Sequence, residues 1–180
     1  MIIISDTNIL SSLALADGFD LLFQLFSRAD IKIPPAVHQE LKVGLERQQI
    51  HLEIVLQAID TGKLQILHLS SEEEKLTKDL PRKLNAGESE AIALSQTRKA
   101  PLLSNDKRAI NYCKRNKVEV IDLPTILNLL WTRQIIKKRE VDLLIKKMKE
   151  RENLKLTESQ RNRVFAPPAP PRRKRRRRRR

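Results

Sequence analysis

Four acidic side chains stand at positions from which they could act together on one ligand. Asp6 directly follows a short apolar segment that is typical of a strand, and Asp106 comes after another, in Ser104-Asn105-Asp106. Glu88 opens a predicted helix, and Glu40 lies one turn into another. Ligands of parallel α/β sheets bind beyond the carboxyl ends of the strands. We therefore expect these four carboxylates to converge on one crevice.

The chemistry that such a group could perform is metal-assisted hydrolysis. Carboxylates held close together repel one another, and they take up protons unless a cation lies between them. Mg²⁺ or Mn²⁺ suits a set of carboxylate and water oxygens. Such an ion polarises a phosphoryl oxygen and lowers the pKa of a bound water, which then attacks in line. This chemistry needs no cysteine or histidine nucleophile, and none is evident.

Each of these acids also has a purely structural interpretation. Asp6 and Asp106 could cap the helices that follow them, Glu88 could interact with a helix dipole, and Glu40 could be a solvated helix residue. The four together are more specific than any one of them. Glu90 competes with Glu88 for the third position. Glu88 lies closer to the apolar face of its helix, so we expect it to point inward and keep Glu90 as a second candidate ligand.

The elements that must hold these residues alternate between strand and helix. Apolar runs predict strands at 2–5, 31–33, 64–69, 101–104 and 118–121. Apolar spacing predicts helices at 13–27, 36–49, 52–59, 88–98, 106–116, 124–133 and 138–151, with a further helix start at Ser70. This alternation favours an α/β sandwich with a mainly parallel central sheet. Beyond Glu152 the helical pattern fades.

Charge is distributed unevenly along the 180 residues, whose net charge is +14. Residues 1–132 carry a net charge of −1, residues 133–163 carry +6, and all nine residues of 172–180 are basic. Binding to nucleic acid through basic residues is therefore expected of the C-terminal third. The candidate phosphate contacts in the tail are Arg172, Arg173, Lys174, Arg175 and Arg176. The alternative is a low-complexity tail, disordered when free, without a selected role.

Composition excludes several classes of protein. The single cysteine, Cys113, makes no internal disulfide and no cysteine-rich metal cluster. The longest apolar runs are far shorter than the ~20 residues that span a bilayer. The N-terminal sequence has no basic region and meets a carboxylate at once, unlike a signal peptide. Aromatic residues make up only 3%, which disfavours an RNA-binding sheet with stacked aromatics. We expect a cytoplasmic protein without membrane contact.

The sequence resembles the PIN-domain nucleases over roughly the first three-quarters of the chain. The segments that carry the resemblance are Ile3–Asn8 (Ile-Ile-Ser-Asp-Thr-Asn), Val37–Leu41, Leu84–Leu94 (with Gly-Glu-Ser-Glu-Ala) and Leu102–Asp106. The Gly-Glu-x-Glu-Ala form looks most like small prokaryotic toxins of the VapC type. The sequence differs from them in carrying Glu as its third acid and in its long basic C-terminal region.

The resemblance implies a three-layer α/β/α fold and Mg²⁺- or Mn²⁺-dependent cleavage of single-stranded RNA. It implies that Asp6, Glu40, Glu88 and Asp106 bind the metal and act in catalysis. It also implies that Asn8 and Ser104 support the site through hydrogen bonds. Many relatives are toxins of type II toxin–antitoxin pairs, often dimeric and silenced by a bound antitoxin.

These observations predict a PIN-like nuclease domain at 1–132, a basic helical extension at 133–165, and a disordered Pro/Arg-rich tail at 166–180. The predicted function is that of a metal-dependent endoribonuclease, the toxin of an antitoxin pair. One alternative is a non-catalytic adaptor that binds RNA or the ribosome through its basic tail. Another is a nuclease acting on structured DNA or on flaps.

Overall fold

One parallel sheet forms the centre of the molecule. The structure is a computed structural model that describes residues 1–168. Its sheet has the strand order β3-β2-β1-β4-β5, and every neighbouring pair is parallel. The strands are β1 (Ile2–Ser5), β2 (Asp30–Ile33), β3 (Gln65–Ile66), β4 (Leu102–Leu103) and β5 (Val120–Ile121).

Helices cover both faces of this sheet. They are α1 (Thr7–Leu15), α2 (Phe19–Leu25), α3 (Pro35–Glu46), α4 (Glu53–Asp60), α5 (Ser71–Asp79), α6 (Ala86–Arg98), α7 (Lys107–Arg115), α8 (Leu123–Thr132), α9 (Lys138–Glu152) and α10 (Glu158–Phe165). A short 3₁₀ turn at Ile50–Leu52 precedes α4. The predicted three-layer α/β/α sandwich with a parallel sheet is confirmed.

The alternation of side chains along β1 divides the core between the two faces. Ile3 belongs to a cluster that includes buried residues of α1 to α4 and α8 to α10. Ile4 belongs to a second cluster built mainly with α6 and α7. Both side chains are completely buried. A central strand covered on both faces needs a continuous apolar sequence, which is why the run at 2–5 predicted it.

The predicted helix at 13–27 was wrong in its extent, because the chain there forms two helices. The break lies at Ala16–Gly18, where Asp17 has a φ of +60°. Asp17 is held by ion pairs with Lys147 and Arg151 of α9, at 2.8 and 3.0 Å. Apolar residues on both sides of the break continue the helical spacing, so periodicity alone could not reveal it.

The region 133–165 packs on the same core as the preceding residues. Val141 and Met148 of α9 and Val164 of α10 are completely buried in the cluster that contains Ile3. The Trp131 indole donates a hydrogen bond of 2.7 Å to the Val164 carbonyl. The side-chain amide of Asn128 donates to the carbonyls of three residues at the end of α10 and just beyond it. The sequence did not predict α10.

An ion pair between the buried Glu73 and the half-exposed Arg98 joins α5 to α6. Glu73 is 2% exposed, and it accepts hydrogen bonds from the Arg98 guanidinium at 2.7 and 3.0 Å and from the Thr97 hydroxyl at 2.5 Å. The same carboxylate completes the capping box with Ser70 at the start of α5. These contacts hold the pKa of Glu73 down at about 2, with the Arg98 hydrogen bond as the largest cause. They join the first turn of α5 to the last turn of α6.

Two further sequence predictions concern membranes and the tail. None of the helices within residues 1–168 has the length and apolar character needed to span a lipid bilayer. The candidate nucleic-acid contacts at Arg172, Arg173, Lys174, Arg175 and Arg176 lie outside the described residues, as does most of the predicted tail.

Candidate active site

The carboxyl ends of β1 and β4 lie side by side. In the register of the sheet Ser5 is paired with Leu103, and the backbone amide of Asp6 donates to the Leu103 carbonyl at 3.1 Å. The residues that directly follow the two strands are therefore neighbours. This arrangement brings Asp6 next to the segment that contains Ser104 and Asp106.

Asp6 is a buried carboxylate with one unused oxygen. Its Oδ1 accepts from the Ile9 amide at 3.1 Å and caps α1, whereas its Oδ2 is buried without a hydrogen-bond partner. Burial raises the pKa of Asp6 to about 7, and the charge of Glu88 adds to the rise. The Ser104 side chain and the amides of Ile9 and Asn8 act in the opposite direction. Burial wins, so an ionised Asp6 lacks sufficient stabilisation from the protein alone.

Glu40 is hydrogen-bonded to the segments that carry Asp6 and Glu88. Its carboxylate accepts a hydrogen bond from the Thr7 hydroxyl and another, of 3.1 Å, from the Gly87 amide. A Cβ atom at residue 87 would lie only 2.7 and 2.8 Å from the two carboxylate oxygens. Gly87 is therefore required for the close approach of Glu40 to the start of α6.

Glu88 lies at the centre of the acidic group. It is 8% exposed, and it forms a capping box with Asn85. The backbone amide of Asn85 donates to Glu88 Oε2 at 3.1 Å. Burial raises the pKa of Glu88, and the charges of Asp106 and Glu40 raise it further. Glu88 also acts on the pKa of Asp6. Glu88 is therefore coupled electrostatically to each of the other three acids.

Asp106 caps the helix that follows β4. Its Oδ1 accepts from the amides of Arg108 and Ala109 at 2.7 and 2.9 Å. The completely buried Ser104 hydroxyl accepts from the Asp106 amide at 3.2 Å, which fixes the turn between strand and helix. The structural interpretation of Asp6 and Asp106 as helix caps is therefore correct. A cap uses one carboxylate oxygen, which leaves the other for a ligand.

Two predicted site residues have other surroundings. Glu90 accepts a hydrogen bond of 2.8 Å from the Ala36 amide in the first turn of α3. It thereby satisfies a helix start whose own N-cap residue, Pro34, provides no side-chain bond. Asn8 is exposed in the first turn of α1, and its side chain makes no hydrogen bond to other residues of 1–168.

Asp122 is a fifth acid at the same edge, following β5, and it has a different environment. Both of its oxygens accept from the Arg163 guanidinium, at 2.9 and 2.8 Å. Although burial opposes ionisation, these bonds to Arg163 keep the pKa of Asp122 low. An acid that already has a cationic partner has no need of another. Within residues 1–168, by contrast, Asp6, Glu40, Glu88 and Asp106 form no salt bridge.

The donor set fits a divalent cation in its chemistry. Within residues 1–168, Asp6 Oδ2, Glu88 Oε1 and Asp106 Oδ2 accept no hydrogen bond from protein groups. Free carboxylate oxygens are the ligands that Mg²⁺ and Mn²⁺ prefer. As the side chains stand, no three histidine, cysteine or acidic residues in that range are close enough to share an ion. The acids meet at one edge without forming a ready-made ligand shell.

The sheet order, the helices on both faces and the acidic edge define an α/β protein with a carboxylate site at the ends of its central strands. A family model described as PIN domain (DUF3368) matches residues 2–166, and the chain belongs to this family. PIN domains are typically nucleases that depend on divalent metal ions. No curated protein matches the chain in a sequence comparison.

Three residues that contribute to this geometry had no assigned role in the sequence interpretation. Thr7 and Gly87 bind Glu40, and Asn85 pairs with Glu88. The signal for Asn85 was present, since an Asx residue three positions before Glu is the pattern of a capping box. The contacts of Thr7 and Gly87 join positions more than 30 residues apart. No local pattern could have indicated them.

Proposed function

We propose that this PIN-domain protein is a cytoplasmic endoribonuclease that cleaves single-stranded RNA with Mg²⁺ or Mn²⁺. The observation that carries the proposal is the buried, unpartnered Oδ2 of Asp6, whose carboxylate is coupled through Glu88 to two further acids. A buried anionic oxygen without a donor is costly, and a divalent cation removes that cost. A site for phosphodiester hydrolysis explains both the acids and their position at the strand ends.

The proposed metal ligands are Asp6, Glu40, Glu88 and Asp106. Glu90 is the weaker candidate, because its carboxylate already satisfies the start of α3. A bound ion would polarise the scissile phosphate and supply a water of lowered pKa.

The protein's own groups hold the ligands in place. The Ile9 amide binds Asp6 Oδ1, and the first amides of α7 bind Asp106 Oδ1. Holding Oδ1 in this way fixes the direction of the Oδ2 atom of each aspartate. The Thr7 hydroxyl and Gly87 amide hold Glu40 in the same way. The buried Ser104 hydroxyl accepts a hydrogen bond from the Asp106 amide and so supports the turn that carries Asp106. The supporting role of Asn8 is proposed from the resemblance alone, because its exposed side chain makes no hydrogen bond within residues 1–168.

RNA as the substrate is inferred from the resemblance and from the charge of the C-terminal region, whereas a toxin role in an antitoxin pair is inferred from the resemblance alone. The strongly basic run at 172–180 is suited to a polyanion. An antitoxin and a second copy of the chain are the proposed protein partners.

The test is cleavage of a labelled single-stranded RNA by the full chain, with Mn²⁺, with Mg²⁺ and with EDTA. Asp6→Asn and Asp106→Asn are prepared identically. Asp30→Asn is the matched control, because Asp30 is an exposed acid at the opposite, amino end of β2. We expect metal-dependent cleavage that both site variants lose and the control retains. Folded wild type that cuts no RNA would contradict the proposal. Cutting of duplex or flap DNA alone would replace RNA as the substrate.

A further inference from the structure

A group of basic side chains borders the acidic site on one side. Arg82 and Lys83 occupy the two central positions of a turn in which the Leu84 amide donates to the Pro81 carbonyl at 3.0 Å. Both side chains are exposed, whereas Leu84 packs against the core cluster behind α6. The turn leads directly into Asn85, which caps α6 together with Glu88. Two cations are therefore held within a few residues of the acids.

Arg108 extends this group from the other side of the site. Its Nη1 donates to the Lys83 carbonyl at 2.9 Å, so the guanidinium is fixed against the turn. The Arg108 backbone amide binds Asp106, and the Arg108 charge lowers the pKa of Glu88, although burial of Glu88 has the larger and opposite effect. Arg108 thus lies within electrostatic range of the acids and contacts one of them through its backbone.

The guanidinium has no anionic partner in the structure. Within residues 1–168, Arg108 forms no salt bridge, and its one side-chain bond goes to a neutral carbonyl. Its remaining N–H donors are exposed. Arg108 also lies in the first turn of α7, where the helix dipole disfavours a cation. The Arg108 guanidinium, bonded to the Lys83 carbonyl and exposed, can therefore accept an anionic ligand next to the acids.

We propose that Arg108 binds a phosphate group of the substrate strand and thereby aligns the strand with the acidic site. This inference rests on the proposed ribonuclease function. Four carboxylates repel a polyanion, so a nuclease of this design needs a cation that holds a phosphate next to them. The planar fork of Arg suits a phosphate, and Lys83 supplies the carbonyl that orients it.

The test compares Arg108→Gln with Arg115→Gln in the full chain. Arg115 is exposed at the opposite end of α7, so both variants remove the same charge from the same helix. The substrate is the single-stranded RNA that the wild type cleaves, and kcat/KM is measured over a range of salt concentrations. Losing one phosphate contact to a single strand makes the slope of log kcat/KM against log salt shallower by about 0.7. The basic tail contributes equally to every variant.

We expect R108Q to lower kcat/KM about tenfold, mainly through KM, and to show the shallower slope. R115Q keeps the slope and rate of the wild type. Arg108→Lys keeps the slope and recovers part of the rate, because the charge remains but the fork is lost. Since Arg108 is exposed, R108Q is expected to melt within a few degrees of the wild type.

Two results would overturn the inference. If Arg108 only offsets repulsion among the acids, R108Q leaves the slope unchanged and lowers the Mn²⁺ concentration that gives half-maximal rate. If it has no role in the site, R108Q behaves as R115Q does. A wild type that cleaves no RNA is a separate outcome, since it refutes the proposed function and this inference with it.

Discussion

Replacing Gly87 by alanine separates the position of Glu40 from the stability of the fold. A Cβ atom at this residue would lie 2.7 and 2.8 Å from the Glu40 oxygens and 2.9 Å from Cδ. These distances are too short, so the carboxylate must move. Moving it breaks the Gly87 hydrogen bond and disturbs the Thr7 contact.

The expected effect on stability is small. The atoms that must move belong to the end of a flexible, half-buried side chain, which can rotate towards solvent. Loss of a hydrogen bond to a charged group costs about 1.5–3 kcal/mol when the group stays buried, and less here because water can replace it. Alanine in place of glycine in a helix returns up to about 1 kcal/mol. The net change is about 1 kcal/mol, or roughly 2–4 °C in the melting temperature.

The expected effect on activity is large. A carboxylate displaced by about 1 Å from its working position costs roughly 100-fold in rate. The assays are thermal melting in EDTA and kcat on the RNA substrate with Mn²⁺. Glu40→Gln serves as the reference, and the double variant forms a cycle with the two single variants. If Gly87 acts only through Glu40, the double variant loses no more activity than E40Q alone. Losses that multiply, or a G87A protein with wild-type rate, would refute this reasoning.

Three further outcomes are expected. Asp6→Asn raises the melting temperature in EDTA at pH 8. Burial raises the pKa of the Asp6 carboxyl from 3.8 to about 7, so its ionisation disfavours folding above pH 3.8 and does so fully above about pH 7. The gain therefore shrinks as the pH falls towards 4, and an equal gain at both pH values would contradict this prediction. The Glu73 carboxylate, with a pKa lowered from 4.5 to about 2, contributes stability above pH 4.5 that is lost as the pH falls towards 2. Allowing for screening at the half-exposed Arg98, Glu73→Gln therefore costs about 2 kcal/mol at pH 7 and little at pH 2, as measured by denaturant unfolding. Asn128→Ala weakens the attachment of α10 to α8, so the fluorescence of Trp131, the single tryptophan, shifts to the red. An unchanged emission spectrum would show that the bond from the indole to Val164 holds α10 in place without Asn128.

The fold was largely predictable because its buried strands have a distinctive sequence. The apolar run at 2–5 and the strand–helix alternation indicated a parallel sheet, and both indications are confirmed. The elements that sequence reasoning missed depend on tertiary contacts. The helix α10 buries only Val164 fully and is held by side chains of α8, so no apolar periodicity marks it. Asp17, at the break between α1 and α2, forms ion pairs with two residues of α9 that are distant in the sequence.

The four acids of the candidate site could be proposed from the sequence, whereas the groups that hold their side chains in place could not. The four carboxylates could be selected because each stands near a strand end or a helix start. The preference for Glu88 over Glu90 stays a prediction, although the bond from Ala36 to Glu90 agrees with it. What the sequence could not reveal was the network around Glu40, or the contact of Arg108 with Lys83, because these join distant segments.

The shared core of β1 with α9 and α10 bears on how the protein is made. The strand β1 is synthesised before Val141, Met148 and Val164, which contribute to its core from more than 130 residues further along the chain. At about 5–20 residues per second, roughly 10–30 s separate these events. During that interval the acidic segments exist without the packing that aligns them. Chain growth therefore delays completion of the core around β1, and with it the alignment of the acidic segments, until Val164 has been synthesised.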